Sequence, residues 1–202
     1  MSSQTYSRRQ PAKKVFAPVF RDANHQFTSS DEENAPQFLL LPTGEEVNRI
    51  HICGTLVETG TESDDFAWGT VEGPSGENYS LNAGRFQEKA QQVLRVAEPP
   101  IMVAVTGKAR VNNNGYSTIQ ATHVSPVTDA DYDLWVEHTG RATIDRIKTT
   151  LAGGTPGGDL ARDVYGDGGD QYAEQLKQYR DLALDALDNT ADEILAAIDP
   201  DD

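Results

Sequence analysis

Residues 101–126 read IMVAVTGKARVNNNGYSTIQATHVSP. Two strand-like runs flank the NNNG of 112–115, and because Asn and Gly tolerate positive φ, this junction predicts a β-hairpin. The preceding stretch, FQEKAQQVLRVAEPP at 86–100, repeats Phe86, Ala90, Val93, Leu94 and Ala97 at helical spacing until Pro99 and Pro100 end the pattern. That spacing assigns Phe86 to a core-facing stripe. Further upstream lie VNRIHICGTLVETG at 47–60, DFAWGTVEGPSG at 65–76 and ENYSLNAG at 77–84, with FLLLPTG at 38–44 before them. Their β-branched and aromatic content, with Gly and Pro at the joins, predicts strands. In the first of the three, Ile50, Ile52 and Leu56 share a parity, and Gly54 between them suits a bulge or bend in a curved wall.

The order is therefore three strands, one helix, two strands. A five-stranded barrel with a helix between its third and fourth strands is the OB arrangement. The predicted fold is mainly β with α extensions, the barrel occupying 37–127. Before it, residues 1–36 read as a mobile arm whose docking point is Val15, Phe16, Val19 and Phe20, and whose end carries the DEEN cluster of 31–34. After it, Thr128 is placed to cap a helix over 128–152 bearing Tyr132, Trp135, Val136, Ile144, Ile147 and Leu151 on one side, with Gly140 as its weak point. Residues 153–170 are Gly-rich and read as a flexible linker. Residues 171–202 read as an acidic amphipathic helix with a stripe of Leu176, Tyr179, Ala183, Leu187, Ile194 and Ile198, which calls for a partner surface in this chain or another.

The formal net charge of -15 argues at first against a polyanionic partner. Its distribution softens this, since the first 21 residues hold Arg8, Arg9, Lys13, Lys14 and Arg21 and no acid, while acids dominate the C-terminal region. Asp exceeds Glu and Arg exceeds Lys, a pattern suited to concentrated salt, where the Debye length falls to about 3 Å and self-repulsion is screened. Full folding in dilute buffer would count against that habitat, because like-charged pairs such as Asp181 with Asp185 and Asp188 with Asp192 should then weaken the last helix. Cys53 is the single cysteine, so no internal disulfide forms and a reducing, cytoplasmic location is expected. No apolar run reaches the roughly 20 residues of a membrane span, and the first residues lack a signal-peptide core, so no membrane partner is expected.

Four stretches carry a resemblance: KKVFAPVF at 13–20, LLLPTGEEVNRIHICGTL at 39–56, WGTVEGPSGENYSLNAGRFQEKA at 68–90 and PPIMVAVTGKAR at 99–110. In that order and combination they resemble the RPA-associated proteins of euryarchaea, OB-fold subunits that accompany replication protein A. The chain departs from that pattern at Gly73, where an acidic residue is expected, and at Gln87-Glu88, where Gln-Pro is common. The resemblance implies a non-catalytic role in DNA replication and repair, single-stranded DNA as a partner, and a hetero-oligomer with an RPA subunit.

OB barrels hold single strands by stacking bases on aromatic rings while basic side chains follow the phosphates. Trp68 and Phe66 share one face of the second strand, alternating with Ala67, Gly69 and Val71, and that face is either the outer surface or the core. Tyr79 on the third strand and Tyr116 in the last hairpin complete the candidate rings, with Trp68 and Tyr79 preferred as platforms. Arg49, Arg85, Lys108 and Arg110 are the candidate phosphate contacts, the competing reading of each being a surface ion pair. A pure assembly adaptor, its barrel touching only protein, is the alternative function. Nothing points to catalysis, a cofactor or a metal: His25, His51, His123 and His138 lack ligand spacing, and neither a GxxxxGK[ST] loop nor a GxSxG elbow is present. His51 and Cys53 share a strand parity, which a wall cysteine explains without chemistry.

Overall fold

The computed structural model describes residues 11–28, 35–166 and 170–198. Five strands, β5 (Arg49–Ser63), β6 (Phe66–Glu72), β7 (Asn78–Gly84), β8 (Ile101–Val111) and β9 (Ser117–Pro126), close into one mixed barrel, with α2 (Glu88–Val96) between the third and fourth of them. Neighbours pair antiparallel except β7 with β9, which run parallel. Barrel closure removes free sheet edges, the physical reason a single sheet this short is stable. The long β5 makes closure possible. Its first half pairs with β8 from Arg49 opposite Lys108, and its second half pairs with β6 as far as Ser63 opposite Phe66. Thr55 and Leu56 pair with both neighbours, and just before them Gly54 lets β5 lie so close to the Glu72 carbonyl that any Cβ would collide with it. The register shifts fall beyond it, at Leu56/Glu58 and Thr61/Ser63.

The predicted hairpin is present as a turn over Asn112–Tyr116. Gly115 sits at φ +82°, and Asn112 Oδ1 accepts from the amides of Asn114 and Tyr116, both at 3.0 Å. Inside the barrel, Ile50, Ile52, Leu56, Ala67, Val71, Leu81, Val105, Ile119 and Leu94 of α2 form the core.

Of the segment read as an arm, residues 13–28 belong to the fold, anchored at the expected docking point. β1 (Lys13–Lys14) adds in parallel to β5, and α1 (Ala17–Arg21) follows with Val15, Phe16, Ala17, Val19 and Phe20 fully buried. Burial of Val15, Phe16, Val19 and Phe20, at about 1.5–3 kcal/mol each, offsets much of the cost of ordering the segment. β2 (His25–Thr28), β3 (Gln37–Leu40) and β4 (Glu46–Val47) make a second, antiparallel sheet, so the FLLL run belongs outside the barrel. The DEEN cluster lies outside the described residues.

α3 (Asp129–Leu151) begins with a capping box: the Thr128 hydroxyl accepts from the Asp131 amide, and Asp131 Oδ2 accepts from the Thr128 amide at 3.1 Å. Trp135, Val136 and Ile147 are buried as expected, whereas Leu151 is 59% exposed because its turn ends the helix. Gly140 is a contact point and not a weak one. A Cβ there would sit 2.8 Å from Leu187 Cγ and 3.2 Å from the Ala183 carbonyl, both on α5 (Asp170–Ile198). The stretch read as a linker contains α4 (Gly158–Tyr165), with Ala161 buried. Three tyrosines fasten these helices to the N-terminal half. The Tyr165 hydroxyl donates to the Leu40 carbonyl at 2.7 Å, Tyr172 to the Pro42 carbonyl at 2.8 Å and Tyr179 to Asp22 Oδ2 at 2.7 Å. The stripe of α5 thus finds its partner surface within this chain as far as Leu187, while the side chains of Ile194 and Ile198 lie outside the description.

Candidate nucleic-acid interface

The alternation of β6 buries Ala67, Gly69 and Val71 and turns Phe66 and Trp68 outward, half-buried. Register then carries Trp68 into a row that crosses the barrel wall. Gly60 on β5 faces Trp68, Trp68 faces Asn82 on β7, Asn82 faces Gln120 on β9, and Gln120 faces Lys108 on β8. Side chains at paired positions project on the same side of a sheet. Gly60 has a specific consequence here: a Cβ would lie 2.6 Å from Trp68 Cζ2 and 2.7 Å from Cε2, so the indole packs against β5 over the bare glycine. An aromatic plate laid along a strand offers the geometry that base stacking needs. Beside it, Asn82 Nδ2 donates to Thr118 Oγ1 at 3.0 Å, which fixes the amide next to the ring.

Phe66 stands one step along the strand, opposite Gly84. Tyr116 is 66% exposed at the tip of the β8–β9 hairpin. Tyr79 cannot serve as a platform. It is 1% exposed on the inward parity of β7, and its hydroxyl donates to the Val15 carbonyl at 2.8 Å. Burial holds that phenol protonated far above its ordinary value, so Tyr79 anchors the N-terminal segment. Phe86 departs from expectation in the opposite sense. It is 81% exposed, because α2 starts at Glu88 and leaves residues 85–87 in a turn. The Gln87 side chain accepts from the Gly84 amide at 3.1 Å and shapes that turn.

Arg49, Lys108 and Arg110 gather where β5, β8 and β9 meet, with Arg49 opposite Lys108 and Arg110 opposite Thr118. Arg85 stands apart on the β7–α2 turn, its guanidinium 4.7 Å from the Phe86 ring centroid. Among the described residues none of these four makes a side-chain ion pair, whereas Lys13, Arg21, Arg141, Arg146, Arg162, Lys177 and Arg180 all do. Arg49 and Lys108 face each other across the strand pair, and two like charges so placed destabilise it. Burial lowers the Arg110 pKa, and its Nη1 donates to the Ala109 carbonyl at 2.7 Å. Acids border the face: Glu58 pairs with Thr70, Glu72 with Asn78, Glu62 lies near the end of β5, and the β5–β6 loop carries Asp64 and Asp65. Arg95 of α2 holds that loop through the carbonyls of Ser63, at 3.0 Å, and Asp64.

No other described cluster offers chemistry. Cys53 lies 4.0 Å from His51 Nε2, but burial pushes its thiol up to about 11, which suppresses the thiolate. No group of three or more His, Cys, Asp or Glu able to hold a metal occurs among the described residues. A cavity of 590 Å³ between Gly44–Glu46, α3 and residues 154–157 shares no residue with the Trp68 row, and its Arg146 is spent on Glu45 at 2.8 Å. No described helix is long and apolar enough to cross a membrane.

Sequence reasoning missed Gly60, Asn82, Gln120 and Phe86. The polar residues at every second position of β7 and β9 were a usable signal for the row. The signal for Phe86 was the Gly84 before it, which ends the strand and starts a turn.

A closed barrel in the strand order β5-β6-β7-β9-β8, with a helix between its third and fourth strands, defines the OB fold, here with an N-terminal segment and C-terminal helices packed on it. No protein-family model and no curated protein sequence matches the chain. Among solved structures it is similar to a chain of a replication protein A heterotrimer bound to ssDNA, at 12% identity over 68% of this chain and 98% of that one, with a TM-score of 0.49. It is also similar to a chain of the S. pombe Stn1-Ten1 complex, at 17% identity over 55% and 82%, TM-score 0.49. An OBody bound to hen egg-white lysozyme aligns at 11% identity over 45% and 88%, TM-score 0.37.

Proposed function

We propose that this chain is a non-catalytic OB-fold subunit that binds single-stranded DNA on the outer face of β6 and β7, in a complex with a replication protein A subunit, during replication and repair. The observation that carries the DNA reading is the Trp68 indole laid over Gly60, in register with Asn82, Gln120 and Lys108. The absence of ion pairs at Arg49, Arg85, Lys108 and Arg110 supports it, since cations that lack a protein carboxylate are available to phosphate. The RPA context rests on the resemblance of residues 13–110. Because the chain is acidic and carries the composition of a salt-adapted protein, stacking supplies more of the affinity than charge does, and the salt slope is shallow.

The test is a titration of labelled oligonucleotide in molar salt, with and without the candidate RPA subunit. Trp68→Ala should weaken binding by about 1–3 kcal/mol while the fold is retained. Equal affinity of variant and parent would remove the assignment. The second reading is the pure adaptor, favoured by the exposed Leu134 on α3 and Leu184 on α5, which suit a protein partner. It predicts association with the RPA subunit and no oligonucleotide binding by the isolated chain.

A further inference from the structure

The β7–α2 turn holds the most exposed large apolar side chain among the described residues, and it sits at the end of the Trp68–Phe66 line. Phe86 is 81% exposed, and the Arg85 guanidinium lies 4.7 Å from its ring centroid, covering one face of the ring. A lone exposed phenylalanine is unfavourable in water, and its neighbour on the surface is a cation with no carboxylate partner among the described residues. The turn is also built rather than loose: the Gly84 amide donates to Gln87 Oε1 at 3.1 Å, and the Gln87 amide donates to the Gly84 carbonyl at 2.9 Å. Gly84 is in turn the residue opposite Phe66.

From these observations we infer that Phe86 and Arg85 form a second nucleobase station, where one base stacks on the ring face that Arg85 leaves open and Arg85 meets the adjoining phosphate. This rests on the proposed DNA-binding reading and extends it around the corner of the barrel. Trp68 and Phe66 are two residues apart on β6, about 7 Å along the strand. Phe66 faces Gly84 across the pair, and Phe86 follows Gly84 by two residues, at most about 7 Å of chain. The three rings therefore mark one continuous path, with Trp68 and Phe86 at its ends. A guanidinium stacked on an aromatic ring keeps its edge donors free, so one side chain can both brace the ring and hold a phosphate. A single strand supplies a base and a phosphate at this spacing, which an aliphatic protein surface does not.

The experiment is a length series of oligothymidylates titrated against the full chain and against Trp68→Ala, Phe86→Ala and Phe86→Trp. Folding is monitored by circular dichroism, and the exposure of Phe86 leaves the fold intact. Trp68→Ala weakens binding at every length. Phe86→Ala weakens binding about tenfold for oligonucleotides long enough to reach from Trp68 to the turn, leaves the shortest binding ones unchanged, and is restored by Phe86→Trp. Equal affinities of Phe86→Ala and the parent at all lengths, with Trp68→Ala still impaired, overturn the second station and leave the DNA reading in place. A parent chain that binds no oligonucleotide overturns both. If Phe86→Ala binds DNA normally but loses the RPA subunit, the turn is a protein contact and the station is overturned.

Discussion

Gly60 does the most at the scale of a single residue. Its φ lies outside the left-handed region, so the backbone there accepts any side chain, and alanine would ordinarily favour a strand over glycine. The indole is what forbids it: a methyl 2.6 Å from Trp68 Cζ2 must lift the ring off β5. Gly60→Ala should therefore lose most of the binding that Trp68→Ala loses, about 1–3 kcal/mol, with the melting temperature nearly unchanged. Acrylamide quenching gives a separate readout, because Trp135, the other of the two tryptophans, is 2% exposed and shielded. Quenching of Trp68 should rise in the variant, and unaltered quenching with unaltered affinity would show that the ring does not depend on the glycine. The facing of Phe66 and Trp68 was not legible in the sequence, because aromatic rings on β6 satisfy either parity when Ala67, Gly69 and Val71 are equally able to line a core. Tyr79 was misread for the same reason in reverse. Its partner is a carbonyl 64 positions away, which no local pattern announces.

At the scale of elements, the barrel strands, α2 and the hairpin followed from periodicity and turn chemistry, since each has a local signature. The elements that escaped have no such signature. α4 lies within GGTPGGDLARDVYGDGGD, where glycine content outweighs a single helical turn or two, and its order comes from the burial of Ala161 and from the Tyr165 hydroxyl that reaches Leu40 of β3. Gly140 looked like a defect because helix propensity disfavours glycine by about 1 kcal/mol relative to alanine. Where it meets Leu187 and the Ala183 carbonyl, that cost is outweighed by the close approach of α3 and α5, since overpacking costs about 1–3 kcal/mol. Gly140→Ala should accordingly lower the thermal midpoint, measured in molar salt. A rise would mean that Leu187 moves aside freely and that propensity governs the site.

For the whole molecule, two partly buried groups contribute to acid stability. Burial, and then the charge of Lys14, lowers the His51 pKa, so the folded protein holds this ring neutral. Below about pH 6.5 the unfolded chain binds a proton that the folded one refuses, and stability falls with pH from there down to the folded value. Glu45 acts lower on the scale. Burial raises its pKa, but Arg146 and Lys13 together more than reverse this, and the net depression supplies stability above the ordinary carboxylate range that is lost as pH falls through the folded value. Melting between pH 8 and pH 5 should show the first slope in the parent and a flatter one in His51→Gln. Identical slopes would assign the proton uptake elsewhere.

The three tyrosine contacts of the C-terminal helices bear on how the chain is made. Their acceptors lie on Leu40, Pro42 and Asp22, which precede the barrel strands in the order of synthesis, while the donors Tyr165, Tyr172 and Tyr179 follow them. The barrel can close as soon as β9 has been synthesised, because all its strands precede Val127. The segment that covers it, by contrast, is clamped only after α4 and α5 have been made. The nascent chain therefore passes through a stage in which a finished barrel carries a provisional lining, and the helical layer locks that lining in place once α5 has emerged.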